Sequence, residues 1–285
     1  METAHTSQIA SAFIWRRVHS LTGFWLVLYL TLHLLTNSQA ALWLGETGAG
    51  FVRMVNQLES LPYLYAIEIF LIGMPLVIHA VWGIHRAWTA KNNVDRSDGS
   101  KPSLHFTRNW AFYLQRISSW VLLFGLVGHV IQMRFLDQPR TIEFQNQDCF
   151  VVEISRDKML EALSERLGVR LYDGSEEDAL APLLIQKRLK LEYVYAVATT
   201  PGTAILLMVR DTFKSPLMII LYTLFVLAAA FHAFNGFWTF LITWGILLSF
   251  RSQKAMIPVS VIGMGLLLFF GLAAIWGSYW VNQYG

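Results

Sequence analysis

Four histidines lie where their side chains could bind a metal inside a membrane. Each falls in a separate apolar stretch long enough to cross a bilayer, and the four are His33, His79, His129 and His232. A histidine surrounded by lipid is costly unless it has a polar partner or binds a metal. Two imidazoles fill both axial positions of a haem iron and leave none for oxygen, which suits electron transfer. The pattern predicts two haems, each held between two helices.

The composition indicates an integral membrane protein. Of the 285 residues, 55% are hydrophobic and 14% are charged, whereas a soluble domain has about 25% charged residues. A single cysteine, Cys149, excludes an internal disulfide, a multi-cysteine iron–sulfur site and the CxxCH attachment of a c-type haem. Any haem is therefore held by ligation and packing alone. The net charge of +3 is too small and too dispersed to indicate nucleic-acid binding.

Five membrane spans are expected, because a helix needs roughly 20 apolar residues to cross roughly 30 Å of hydrocarbon. They lie near 18–40, 63–88, 109–136, 216–248 and 256–281. The first is too long for a signal-peptide core and lacks a cleavage site, so the N-terminus is expected to stay on the protein. The predicted fold class is an all-α membrane protein, a bundle of five transmembrane helices. Its expected parts are helices 1–3 (1–136), an insertion (137–215) and helices 4–5 (216–285).

Basic residues predict the orientation, since positively charged loops stay in the cytoplasm. They precede the first span and fill the second and fourth connections, at Arg16, Arg17, Arg86, Lys91, Arg96, Lys101, Arg108, Arg251 and Lys254. The first connection holds Arg53 against Glu46 and Glu59, and residues 281–285 hold no charge. The N-terminus is therefore predicted to be cytoplasmic and the C-terminus outside.

With this orientation, the depth of a residue in the membrane can be estimated from its position within a span. His33 and His129 both come late in helices that run outward, so they share the outer half of the membrane. His79 comes late in a helix that runs inward. The fourth span is so long that the depth of His232 is ambiguous, but it also runs inward, and His79 is the ligand left to match it. We therefore pair His33 with His129 for an outer haem and His79 with His232 for an inner haem.

Three glycines lie four residues from a histidine, on the same helical face. They are Gly83 after His79, Gly125 before His129 and Gly236 after His232. Each predicts a gap into which a flat porphyrin could fit, and close helix packing would explain them equally well. His33 has no such glycine.

Several longer motifs resemble one family of membrane proteins. They are RRVHSLTG at 16–23, SLPYLYAIEIF and PLVIHAVWGIHRAWTAKNN within 60–93, RNWAFYLQR at 108–116, and FHAFNGFWTFLITWG at 231–245 with RSQ at 251–253. The chain resembles the single-subunit, five-helix, dihaem cytochrome b anchors of succinate:menaquinone oxidoreductases and fumarate reductases. In that family the four axial ligands fall on the same four histidines, in the pairing that depth suggested.

The resemblance implies a complex in a bacterial cytoplasmic membrane. A flavoprotein subunit with FAD and an iron–sulfur subunit would dock on the cytoplasmic face, and the anchor would carry electrons between them and menaquinone or another quinone. Two haem b groups are implied, the inner one facing the iron–sulfur partner and the outer one facing the quinone. The chain shows no flavin site and no cluster ligands, so it is not expected to oxidise succinate alone.

Two carboxylates are candidates for handling protons, because reducing a quinone consumes two of them. Glu59, at the outer start of the second span, is the first candidate, and an ordinary solvated loop acid is the alternative. Glu68 lies nine residues further on, nominally inside the membrane, where a carboxylate indicates function or a specific partner. A structural hydrogen bond is the alternative for Glu68.

Haem propionates need cations or donors at the membrane edge. Arg116 is the main candidate because it lies about two turns inside the third span. Arg17, His19 and Ser20 could serve the same inner haem, with lipid headgroup contact as the alternative for Arg17. Asn235 could be a haem neighbour or make an interhelical hydrogen bond.

The insertion departs from the family, whose members have a short link at this position. Its charged, mixed composition predicts a small extracytoplasmic α+β cap. KMLEALSERL at 158–167 reads as an amphipathic helix, with Met159, Leu160, Leu163 and Leu167 on one side. TIEFQ at 141–145, CFVVEI at 149–154, LEYVYAVA at 191–198 and AILLMVR at 204–210 read as strands. The last two are expected to be joined by a turn at TTPGT.

Other functions stay open. A transporter with a histidine proton relay predicts broken helices and titratable residues along one path. Dihaem cytochromes of nitrate reductases or hydrogenases share ligands among helices differently, and a purely structural anchor would have no redox activity.

Overall fold

A computed structural model shows the protein as two compact units. It describes residues 2–41, 48–89, 107–144, 147–157, 160–173 and 193–284. The first unit comprises Met1–His33, Tyr65–Gly125 and Leu224–Phe269, and the second comprises Leu34–Leu64, Leu126–Thr223 and Phe270–Gly285. Lys91, Arg96, Lys101, Glu46, Gln145, Met159 and residues 191–192, which the sequence predictions used, lie outside the described residues.

Five of the described helices are long and apolar enough to cross a membrane, as predicted. They are α1 (Glu2–Ser38), α3 (Leu64–Thr89), α4 (Thr107–Val130, continuing through Ile131–Leu136), α7 (Pro216–Thr243) and α8 (Phe250–Leu272, continuing to Tyr284). The fourth span ends at Thr243 rather than near 248, because the chain turns at Gly245, whose φ is +74°. Only glycine adopts that conformation at little cost.

Three of these helices contain a π-helical turn, which the sequence analysis did not predict. The turns are Glu68–Gly73 in α3, Ile131–Leu136 in α4 and Ala273–Gly277 in α8. The helices remain continuous through them. A π turn inserts one extra residue, rotates the side chains that follow and is frequent at functional sites.

Hydrogen bonds and aromatic stacking join the helices of the first unit. Trp25 of α1 donates its indole N–H to the Leu71 carbonyl of α3 at 2.6 Å, and Trp238 of α7 donates to the Gln253 carbonyl of α8 at 3.0 Å. Phe24 stacks on Phe240 with ring centres 4.6 Å apart. Such contacts associate helices where lipid offers no hydrophobic driving force.

The second unit contains a helix in the first connection that was not predicted. It is α2 (Ala49–Glu59), which buries Phe51 and Val55 and exposes Arg53 and Glu59. The apolar face of α2 is short, so hydropathy alone predicts a loop for this segment.

The insertion contains a four-stranded antiparallel sheet in the order β1-β2-β4-β3. Its strands are β1 (Arg140–Phe144), β2 (Gln147–Ser155), β3 (Arg170–Asp173) and β4 (Tyr193–Ala198), and α5 (Leu160–Leu167) precedes β3. The predicted strands at 141–145, 149–154 and 191–198 and the amphipathic helix are confirmed where they are described. Strand β3 was not predicted.

The predicted strand at 204–210 is wrong, because this segment lies in α6 (Pro201–Thr212). Thr200 begins the helix by accepting a hydrogen bond from the Thr203 N–H, and Pro201 occupies its first turn. TTPGT is therefore a helix start rather than a turn between strands. Helix α6 is buried on nearly every side and packs on β2 and α2, so its sequence lacks the polar face that marks most helices.

Polar contacts fasten α6 within the second unit. Asp211 accepts hydrogen bonds from the Ser155 N–H and hydroxyl at 2.8 and 2.6 Å and pairs with Lys214 at 2.9 Å. Arg210 is 2% exposed and donates to the Ala40 carbonyl at 2.9 Å. Its Nε and Nη1 have no hydrogen-bond partner in the described part of the chain, and burial lowers the pKa of its guanidinium to about 10.

Candidate functional site

The structure brings together the two histidines predicted as the inner pair. His79 of α3 and His232 of α7 lie 10 and 11 residues before the ends of their helices, and their ring centres are 6.2 Å apart at an interplanar angle of 80°. A metal lies about 2 Å from an imidazole nitrogen, which puts the centres of two axial imidazoles about 6.4 Å apart. The separation of these two rings therefore fits bis-histidine ligation of one iron.

Both rings are held by a hydrogen bond at Nδ1. His79 Nδ1 lies 3.0 Å from the His19 carbonyl and 3.5 Å from the Thr22 hydroxyl. His232 Nδ1 lies 3.2 Å from the Ser118 hydroxyl, whose own proton is donated to the Gln115 carbonyl. Both imidazoles therefore donate from Nδ1 and carry the lone pair on Nε2. Histidines that ligate metals nearly always donate their other ring N–H in this way.

His19 and Gly23 of α1 pack against the His79 ring. The His19 and His79 rings stack with centres 4.0 Å apart and planes 12° apart, and His19 Nδ1 is buried with no hydrogen-bond partner among the described residues. A methyl group at Gly23 would come within 2.8 Å of His79 Cε1. Helix α1 thus approaches the ring closely only because residue 23 has no side chain.

The three glycines predicted to leave a gap for a porphyrin have different surroundings. A Cβ at Gly83 would lie 3.5 Å from His19 Cε1, and one at Gly236 would lie 3.7 Å from Gln115 Nε2, both ordinary contact distances. At Gly125 the Phe225 ring fills the space, because a Cβ there would meet Phe225 Cδ2 at 2.5 Å. Close helix packing, the alternative explanation, therefore accounts for Gly125.

The two histidines predicted as the outer pair belong to different units. In the first unit, the half-buried His33 ring stacks on Tyr29, with ring centres 5.6 Å apart. In the second unit, His129 Nδ1 lies 3.2 Å from the Tyr222 hydroxyl, which donates to Gln132 Oε1 at 3.1 Å. Like the inner pair, His129 therefore donates from Nδ1. The pairing of His33 with His129 stays a prediction.

Two of the predicted propionate ligands, Arg116 and Arg17, contact other groups in the structure. Arg116 donates to the Ala87 carbonyl at 2.8 Å, and the Arg17 guanidinium lies over the Phe13 ring at 3.7 Å. Ser20 is half-buried, and Asn235 donates to Gln115 Oε1 at 2.8 Å. Gln115 in turn donates to the His232 carbonyl at 3.2 Å, so Asn235 does make an interhelical hydrogen bond.

The two predicted proton-handling carboxylates are described separately because they belong to different units. Glu59 is exposed at the end of α2 in the second unit. Glu68 is half-buried in the first unit and begins the π turn of α3. Tyr29 and His33, which stack on each other, belong to the same unit.

The comparisons with known proteins establish the family. A curated relative, the succinate dehydrogenase cytochrome b558 subunit of Bacillus subtilis (strain 168), is 30% identical over 264 residues. The match covers 92% of this chain and 95% of the relative. The chain belongs to the family of succinate dehydrogenase cytochrome b subunits. No protein-family model and no solved structure matches it.

Three polar neighbours of the histidines in this cytochrome b subunit were not predicted from the sequence. Gln115 and Ser118 lie three residues apart on α4, and Tyr222 lies on α7. Polar residues repeated at helical spacing within an apolar span are a signal for such contacts. That signal exists for Gln115 and Ser118, whereas Tyr222 has only the adjacent Thr223 as a polar neighbour between 216 and 231.

Proposed function

We propose that the chain is the dihaem cytochrome b membrane anchor of a succinate:menaquinone oxidoreductase. In this role it carries electrons between an iron–sulfur subunit and a membrane quinone. The strongest support is the His79 and His232 pair, whose ring centres are 6.2 Å apart and whose Nδ1 atoms each meet an oxygen. The name of the relative, a cytochrome b558 subunit, agrees with a haem of the b type.

At the inner site, the haem iron would be held by His79 and His232, whose Nε2 atoms carry the free lone pairs. The hydrogen bonds to the His19 carbonyl and the Ser118 hydroxyl keep a proton on Nδ1, orient the rings and raise their basicity as ligands. Bound haem supplies a one-electron carrier. Asn235 and Gln115 hold α7 against α4 and so fix the height of His232. Arg17, His19, Ser20 and Arg116 are the proposed donors to the inner propionates.

At the outer site, the second haem iron would be held by His33 and His129, as the sequence predicts. The tautomer of His129, with its proton on Nδ1, supports this role. Quinone reduction takes up two protons, and Glu68, half-buried in the unit that also holds Tyr29 and His33, is the proposed group that passes one of them on. Glu59, exposed on α2, is the proposed donor nearer the outer water.

The remaining parts of the complex lie in other subunits. A flavoprotein with FAD and an iron–sulfur protein would bind the cytoplasmic face, and this chain alone would perform no succinate chemistry. The distribution of basic residues supports a cytoplasmic N-terminus and an outer C-terminus in a bacterial cytoplasmic membrane. The insertion at 137–215 would then cap the outer end.

Two alternatives use the same residues. The equivalent anchor of a fumarate reductase would run the electrons in the opposite direction. A histidine-relay transporter would carry protons and hold no haem.

The test is a reduced-minus-oxidised spectrum of the purified complex, together with haem extraction. We expect a b-type α-band and two haems per chain. A complex with intact protein subunits and no α-band would contradict the proposal and favour the transporter.

A further inference from the structure

Tyr222 links the proposed outer ligand His129 to a third side chain, Gln132. The Tyr222 hydroxyl lies 3.2 Å from His129 Nδ1 and 3.1 Å from Gln132 Oε1, and the two rings meet edge to face with centres 5.7 Å apart. All three residues belong to the second unit, with His129 and Gln132 on α4 and Tyr222 on α7. The contact crosses between two helices of the same unit.

The direction of these hydrogen bonds follows from the number of protons. A tyrosine hydroxyl has one proton, and Tyr222 donates it to the Gln132 carbonyl oxygen. Its oxygen can therefore only accept from His129, which must carry its own proton on Nδ1 and its lone pair on Nε2. Donation to Gln132 also makes the phenol oxygen more negative, which strengthens the bond that it accepts.

Gln132 lies three residues after His129 on α4. Residues three apart are neighbours on one face of a helix, so both side chains can reach the Tyr222 hydroxyl. Gln132 is also the second residue of the π turn Ile131–Leu136, and its carbonyl accepts the N–H of Asp137, five residues later.

We propose that Tyr222 is a positioning residue for the outer haem, which fixes the tautomer of His129 and lowers the reduction potential of that haem. This rests on the proposed function, in which His129 binds the outer iron. A ligand whose N–H is hydrogen-bonded donates more electron density, which favours ferric over ferrous iron. The inner ligands use a backbone carbonyl and a serine hydroxyl instead, so each haem has separate tuning groups.

The test is a redox titration of the full complex carrying Tyr222→Phe. The α-band component that is missing in a His129→Leu complex identifies the outer haem, and the one missing in His232→Leu identifies the inner haem. We expect Tyr222→Phe to raise the outer potential by about 59 mV, a tenfold change in the ferric/ferrous equilibrium constant. The inner component should stay unchanged, and Gln132→Leu should give a smaller shift in the same direction.

Two matched variants separate tuning from general disturbance. Thr223, the next residue on α7, accepts a bond from the Trp276 indole at 3.1 Å and touches no ligand, so Thr223→Val should move neither potential. Ser118→Ala should shift the inner component alone.

The proposed role of Tyr222 is overturned by three results. The first is a complex that keeps two haems and whose outer potential is moved by neither Tyr222→Phe nor Gln132→Leu. The others are equal shifts in both components and a shift with Thr223→Val. If Tyr222→Phe fails to assemble, Gln132→Leu decides alone, because it leaves the Tyr222 to His129 bond in place. A wild-type complex without two haems would contradict the proposed function instead.

Discussion

The substitution Gly23→Ala tests whether α1 shapes the inner haem site. A Cβ at this position would lie 2.8 Å from His79 Cε1 and 3.2 Å from Nδ1, whereas ordinary contact begins at 3.4 Å. The imidazole must therefore move by about 0.6 Å, and both α1 and α3 are packed helices that resist such a shift.

A displacement of this size removes the bond that orients His79. The distance from Nδ1 to the His19 carbonyl, 3.0 Å in the structure, would lengthen to about 3.6 Å, which is no longer a hydrogen bond. Loss of such a partner typically lowers metal affinity by about 10–100-fold. We expect Gly23→Ala to lose the inner haem selectively, measured as one haem per chain by extraction and as one remaining α-band component in a redox titration.

Gly128 provides the control, because it precedes His129 directly and a Cβ there would meet no atom of the described residues within 4 Å. Gly128→Ala should retain both haems. A Gly23→Ala complex that also keeps two haems with unchanged potentials would refute the reasoning.

Three further predictions concern the packing around these sites. Gln115→Leu removes the hydrogen bonds to the His232 carbonyl and from Asn235, so it should lower the free energy of unfolding by about 1–3 kcal/mol. In thermal melts, the effects of Gln115→Leu and Asn235→Leu should be strongly non-additive. Additive effects would contradict a shared network. Asp211→Asn should weaken the ion pair with Lys214 and lower the stability of the insertion by about 1–2 kcal/mol, which faster proteolysis would reveal. A changed haem spectrum would argue against this local role. Arg210→Met should be neutral or stabilising by about 1–3 kcal/mol at neutral pH, because the lowered pKa means that the folded state disfavours the charge at every pH below about 10. A clear loss in the melting temperature would show instead that the hydrogen bond to the Ala40 carbonyl outweighs the cost of burying the charge.

The positions of the five spans were predictable because length and hydropathy are properties of the sequence itself. The strands around Val151 and Tyr195 were predictable for a similar reason, since each is a short β-branched and aromatic run. The predicted fourth span was too long to fix the depth of His232, so its pairing with His79 came partly from elimination, and the structure brings the two rings together.

Other features of the fold and of the site depend on contacts between segments that are distant in the sequence, so no single segment predicts them. The run from Ala204 to Arg210 suits a buried strand and a buried helix equally, and only Thr200 and Pro201 at its start indicate the helix. The partners of the histidines depend on how each helix is rotated about its axis. Ser118 and Tyr222 reach imidazoles for that reason, and Gly23 rather than Gly125 marks a close approach to a histidine ring.

The most direct measurement of the central claim is the loss of haem in single histidine variants of the assembled complex. Four variants, His33→Leu, His79→Leu, His129→Leu and His232→Leu, would each be analysed by haem extraction and redox titration. We predict that each retains one haem, that the variants at 79 and 232 lose the same redox component, and that those at 33 and 129 lose the other. Loss of one component by the variants at 79 and 129, or retention of both haems in any of the four, would contradict the account.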